Sequence, residues 1–298
     1  MKICCKLPNH TGYAYDYTCL NLFKSLEKIL NCYKYDGSIE NHTTHLVFLD
    51  YLSLKKRVHF KKLRRTISSC NILRLLTRKT TTNHNGFSKE ILFKINSNTN
   101  EMIKFLKPVK DKGIKVVICV YDPARFPYLD PLIDYFDKII LFDQKFKNRF
   151  PIPTYISDYF LNEELFSKPP ESYGNKVCYF GHLNDRDLPE GVVHIKSDSL
   201  KALYKNVQNF NGVYVFDIGN DEKGERGKMH HNKAKAIEVL MCGRNVYAMD
   251  RIKTKAYDKF ILPANEYKNC PPVSFNQQEI FELNRKCIRD FINAMINC

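Results

Sequence analysis

The stretches GVYVFDI, residues 212–218, and NKAKAIEVLMCGRNVYAM, residues 232–249, decide the fold. In the first, apolar residues run without alternation, as in a strand covered on both faces. In the second, Ala234, Ile237, Leu240 and Met241 recur at helical spacing, Gly243 closes the helix, and Asn245 to Met249 resumes as a strand. Strand, polar loop, helix, glycine, strand is the crossover unit of a parallel sheet. Five further runs have the character of buried strands: Ile3–Leu7, His45–Leu49, Lys115–Tyr121, Lys138–Phe142 and Lys176–Phe180. Between them lie helix-period segments, such as Thr18–Leu30 with Leu22, Leu26, Ile29 and Leu30 on one side. The expected class is therefore α/β with parallel sheets.

A chain of 298 residues is long for one compact core, so two domains are expected. Lys168, Pro169 and Pro170, followed by Glu171, Ser172, Tyr173 and Gly174, form a linker before VCYF. The expected division is 1–168, 169–276 and a C-terminal helix, 277–298. Ile280, Phe281, Leu283, Cys287, Ile288, Phe291 and Ile292 make that helix's apolar side. Hydrophobic residues at 44% and aromatics at 13% suffice for packed interiors and argue against broad disorder.

Eleven cysteines are scattered without paired zinc spacing, and Cys119 and Cys178 lie in apolar runs where a thiol behaves as a small hydrophobe. A reducing cytosol suits them. The start, MKICCKLPNHTG, has too short an apolar run for a signal peptide, and no run approaches the roughly 18 apolar residues of a membrane span. The expectation is a cytoplasmic monomer, in the host's cytoplasm if the chain is viral.

The net charge of +15 favours an anionic partner, nucleic acid first. From Tyr51 to Lys89 there is no acid, while Lys55, Lys56, Arg57, Lys61, Lys62, Arg64, Arg65, Arg74, Arg78, Lys79 and Lys89 are positive. Unopposed like charges are stabilised by nearby phosphates. The run lacks helix-turn-helix or zinc-finger spacing, so phosphate contacts are expected from it and base reading is not.

Three places carry candidate chemistry. With Asn232 as N-cap, Lys233 and Lys235 fall in a first helical turn, where the macrodipole disfavours cations unless an anion binds. Lys235 and Glu238, three apart, can hold a diphosphate and ribose hydroxyls respectively. The strand VCYF ends in Gly181, His182, Leu183, Asn184, Asp185 and Arg186; a glycine there admits a ligand close to the backbone, and a tight turn with no ligand explains it equally. The strand ending at Tyr121 runs into Asp122, Pro123, Ala124 and Arg125, which places a carboxylate where open sheets bind ligands, although Asp-Pro also initiates turns. Asp185-Arg186-Asp187 and His230-His231 lack supporting ligands at metal-site spacing, so no metal site is assigned.

Lys235, Glu238 and Gly243 resemble the nucleotide-sugar motif of GT-B glycosyltransferases. With VCYFGHLNDR, VFDIGND and VICVYDPARFP in the same order, the chain resembles the phage DNA beta-glucosyltransferases, loosely over most of its length and more specifically in the second half. The resemblance implies two Rossmann-like domains in the GT-B arrangement, facing across a cleft, and an inverting transfer of a hexose, glucose in the type case. The donor is a UDP-sugar such as UDP-glucose and the acceptor a hydroxymethylated pyrimidine, such as hydroxymethylcytosine, in duplex DNA of a bacteriophage. It implies Asp122 as general base, with Gly181, His182, Arg186, Gly219, Asn220, Lys235 and Glu238 at the nucleotide sugar. Arg125 would touch acceptor phosphate, and its spacing from Asp122 differs by one residue from the family's. The segment Ser197–Gln208 would lie near the nucleotide base. No tightly bound cofactor is expected; a divalent metal stays open. Two alternatives remain: a GT-B enzyme with a surface-polysaccharide or lipid-linked acceptor, and a non-catalytic nucleic-acid-binding protein on a transferase scaffold.

Overall fold

The structure is a computed structural model that describes residues 1–7, 19–49, 89–121, 126–181, 183, 187–216, 231–248, 254 and 256–297. The first half of the chain forms, in order, β1 (Lys2–Lys6), α1 (Asn21–Glu27), β2 (Cys32–Lys34), β3 (Thr43–Phe48), α2 (Lys89–Asp111), β4 (Lys115–Val120), the single-turn α3 (Phe126–Leu129), β5 (Lys138–Leu141) and β6 (Thr154–Ile156). The second half forms β7 (Val177–Phe180), β8 (Val192–Ile195), α4 (Leu200–Val207), β9 (Gly212–Val215), α5 (His231–Met241), β10 (Asn245–Ala248), β11 (Ile261–Pro263) and α6 (Gln277–Ile296).

Two separate sheets result, ordered β2-β1-β3-β4-β5-β6 and β8-β7-β9-β10-β11, and every pairing in both is parallel. Numbered within its own half, each sheet follows the doubly wound order 2-1-3-4-5, the first with one more strand. The protein is thus α/β with two Rossmann-like sheets. All seven runs expected to be strands are strands. The four strands that the sequence reading did not find, β2, β6, β8 and β11, are the four edges of the two sheets.

Residues alternate between faces. Ile3, Cys5, Val47, Val117, Cys119 and Ile140 face one side of the first sheet; Cys4, Leu46, Phe48, Val116, Ile118 and Ile139 face the other, against Met102, Leu106 and Val109 of α2. The former side belongs to one apolar cluster that continues into Cys178, Phe180, Val213 and Val246 of the second sheet through α1, α5 and α6. The opposite face of the second sheet is aromatic, with Tyr179, Tyr214, Phe216 and Tyr247 packed against Leu183, Leu188, Leu262 and Tyr267.

The helix α6 ties the halves together. Asn276 caps it, accepting from Gln278 N at 2.7 Å, and Gln277 Nε2 donates to the Met241 carbonyl at the end of α5 at 2.6 Å. Asn284, fully buried, exchanges hydrogen bonds with the backbone of Leu161 at 2.9 and 3.0 Å. At the far end Lys138 Nζ, on β5, donates to the Ala294 carbonyl at 2.7 Å, a cation at the end of a helix where the dipole favours it. Seven of the nine described cysteines are buried and all nine are free, Cys119 and Cys178 among the buried ones. Burial pushes the Cys178 thiol up to about 12. Among the described residues, no helix is long and apolar enough to cross a membrane.

Candidate functional site

Because both sheets are wholly parallel, the carboxyl ends of the strands line one edge of each, and the crevice where strand order reverses is the ligand position of open α/β sheets. In the first sheet the reversal lies between β1, ending at Lys6, and β3, ending at Phe48; in the second it lies between β7, ending at Phe180, and β9. At the first crevice Lys6 is a half-buried cation, 4.8 Å from the centre of the Tyr35 ring and 5.9 Å from that of Phe105, and burial lowers its pKa. Sequence reasoning missed it; a lysine ending an apolar strand was the available signal.

The second crevice brings two expected residues together. Lys235, in the first half of α5, donates from Nζ to the Phe180 carbonyl at 2.8 Å and lies 4.7 Å from the centre of the Tyr179 ring. Gly181 follows with φ +108°, and a Cβ there would stand 3.0 Å from Lys235 Nζ. The backbone angle favours glycine, and any side chain there would displace the end of Lys235. On the outer side, His194 Nε2 of β8 donates to the Gly181 carbonyl at 3.0 Å, fixing the turn from the edge strand. Among the described residues no group of three His, Cys, Asp or Glu could hold a metal ion.

Glu238 lies one turn further along α5, 3% exposed. Burial alone pushes its carboxyl well above the ordinary glutamate value, so the protonated form is favoured there. The helix itself begins at His231, one residue before the expected cap, so Asn232 is inside the first turn.

The first turn of α5 also touches the first sheet. Lys233, 8% exposed, directs Nζ to the Phe142 carbonyl at 3.4 Å and lies 4.0 Å from the Asp143 carboxylate, both just past β5. Ala234 lines a small pocket with Leu22, Tyr121, Phe142, Tyr159, Phe160 and Leu161. Tyr121 stacks on Phe142 with ring centres 4.3 Å apart and planes 12° apart, and Tyr159 lies 4.7 Å from Phe142. This aromatic wall stands at the carboxyl ends of β4 and β5. Its signal in the sequence was an aromatic immediately after each apolar run, Tyr121 and Phe142.

The remaining candidates lie outside the described residues: Asp122 and Arg125, His182 and Arg186, Gly219 and Asn220, and the basic positions Lys55, Lys56, Arg57, Lys61, Lys62, Arg64, Arg65 and Arg74. The described neighbours fix where the chain enters and leaves those segments. Tyr121 precedes Asp122 at the carboxyl edge of β4, and the basic stretch begins beyond β3 at that same edge and returns through α2. The segment Ser197–Gln208 contains α4, capped by Ser199, whose Oγ accepts from Ala202 N at 3.3 Å.

Fold and crevices define an α/β protein with two parallel, doubly wound sheets and a shared helix between their carboxyl edges. Compared with protein-family models and with the curated proteins, the sequence finds no match.

Proposed function

We propose that the chain is a nucleotide-sugar-dependent glycosyltransferase of GT-B arrangement, moving glucose from UDP-glucose to a hydroxymethylated pyrimidine in duplex DNA, as in phage DNA modification. The observation that carries the reading is the position of α5. Its first half reaches the end of β7 through Lys235 and the end of β5 through Lys233, so one helix meets the carboxyl ends of both sheets.

In this reading Lys235, Arg186 and the first amides of α5 stabilise the diphosphate, and Gly181 lets it approach the backbone. Glu238 meets the ribose hydroxyls. Asp122 takes the proton of the acceptor hydroxymethyl group as its oxygen attacks the anomeric carbon; the bond to the diphosphate oxygen breaks on the opposite side, and UDP leaves. A single displacement inverts the anomeric centre. The acceptor base would have to leave the stack, and the acid-free stretch 51–89 would hold the flanking phosphates. The enzyme would act as a monomer in the cytoplasm.

The test is incubation of the purified chain with radiolabelled UDP-glucose and hydroxymethylcytosine duplex DNA. Transfer is expected, falling about 100-fold or more in Asp122→Asn with donor binding retained. Transfer only to a lipid-linked or polysaccharide acceptor would sink the DNA assignment. DNA binding with no sugar-nucleotide protection against thermal unfolding would sink the transferase assignment.

A further inference from the structure

Lys233 stands where a cation is costly, in the first turn of α5 among amides whose dipole repels it, and it is nearly buried. Its compensation comes from the other half of the molecule: the Phe142 carbonyl and the Asp143 carboxylate at the end of β5. Asp143 is itself shielded, its side chain 15% exposed against 10% for Lys233. Two residues further on, about 200° around the helix, Lys235 reaches the end of β7. Ala234 between them packs into the Tyr121, Phe142 and Tyr159 wall. One helical turn is therefore held on both sides by different sheets.

We infer that Lys233 is a positioning residue, which registers the donor helix against the acceptor edge of the first sheet and so sets the gap between a diphosphate at Lys235 and a hydroxyl activated beyond Tyr121. The inference rests on the transferase reading above. Lys233 does not touch the donor; it acts through the placement of α5. Misplacement of reacting groups by about 1 Å costs up to about 100-fold in rate.

The experiment compares Lys233→Met, Asp143→Asn and the double variant by steady-state kinetics and by amide exchange of the peptides covering 138–143 and 231–241. Each single change is expected to lower kcat by about tenfold or more, with the KM for UDP-glucose within about twofold, and the double variant to be no worse than Lys233→Met. Exchange should rise in both peptides together, and Lys233→Arg should recover part of kcat. Should Lys233→Met fail to fold, Asp143→Asn and the double variant carry the comparison, since neither leaves a buried carboxylate without its cation. A rise in donor KM matching the fall in kcat would overturn the inference by making Lys233 a donor contact. Unchanged kcat, or exchange confined to 231–241, would overturn it as well. Absence of transfer by the unaltered chain would refute the transferase reading alone; the registering contact would then stand or fall on the exchange in 138–143.

Discussion

Two carboxyls, the half-buried Asp137 at the amino edge of the first sheet and the buried Glu238 on α5, are treated in opposite ways. Asp137, just before β5, accepts from Lys110 Nζ at 2.7 Å on both oxygens and from Val116 N at 2.7 Å, with Lys115 Nζ 3.6 Å away. Burial pulls its pKa up, but these hydrogen bonds and charges outweigh burial and hold it below the ordinary aspartate value. Glu238 has burial as its only cause of shift among the described residues, and its pKa is raised. The amino edge is built for stability. Glu238 is an acid whose charged form is disfavoured by its burial in α5.

The contrast can be broken most strongly at Asp137. Asp137→Asn should destabilise the fold by about 2–3 kcal/mol at pH 7 in urea unfolding, since it leaves Lys110 without its carboxylate. The sign follows from the lowered pKa: the contribution is present above the ordinary aspartate value and is lost as pH falls through the folded one, so the deficit shrinks in acid. Gly181→Ala should cost about 1–3 kcal/mol, from the positive φ and the contact with Lys235, and should weaken sugar-nucleotide protection in the same thermal scan.

Glu238→Gln sharpens the comparison because its sign is reversed. The folded pKa is raised, so the penalty is absent below the ordinary glutamate value and grows as pH climbs towards the folded one. The variant should melt higher than the unaltered chain at pH 8 and equally at pH 4, and under the proposed transferase activity its KM for UDP-glucose should rise. The smallest effect is expected at the partly exposed pair Arg285–Glu163. Arg285 meets both oxygens of Glu163, at 3.1 and 2.7 Å, and Arg285→Ala should cost under about 1 kcal/mol, less at high salt.

Legibility in the sequence followed burial. The seven interior strands, β1, β3, β4, β5, β7, β9 and β10, announce themselves as continuous apolar runs because both faces are covered. The four edges do not. CYK of β2 and TYI of β6 are only half-buried, VVHI of β8 exposes Val193, and ILP of β11 is three residues long. An edge strand needs neither length nor an unbroken apolar run, so nothing local distinguishes it from a loop. Lys235 and Gly181 were legible separately, one as a cation at the wrong end of a helix and one as a glycine ending a strand. Their contact was not, because it joins residues 54 positions apart in the chain.

By itself the sequence determined the α/β class, the interior strands, the C-terminal helix with its apolar side, and the conflict of two lysines in one helical turn, since these follow from periodicity and charge within short windows. Only the tertiary structure decided how that conflict is resolved. Lys235 turns to the end of its own sheet, and Lys233 crosses to Phe142 and Asp143 of the other, because the partner that offsets a misplaced charge is chosen by packing between distant segments and leaves no trace in local pattern.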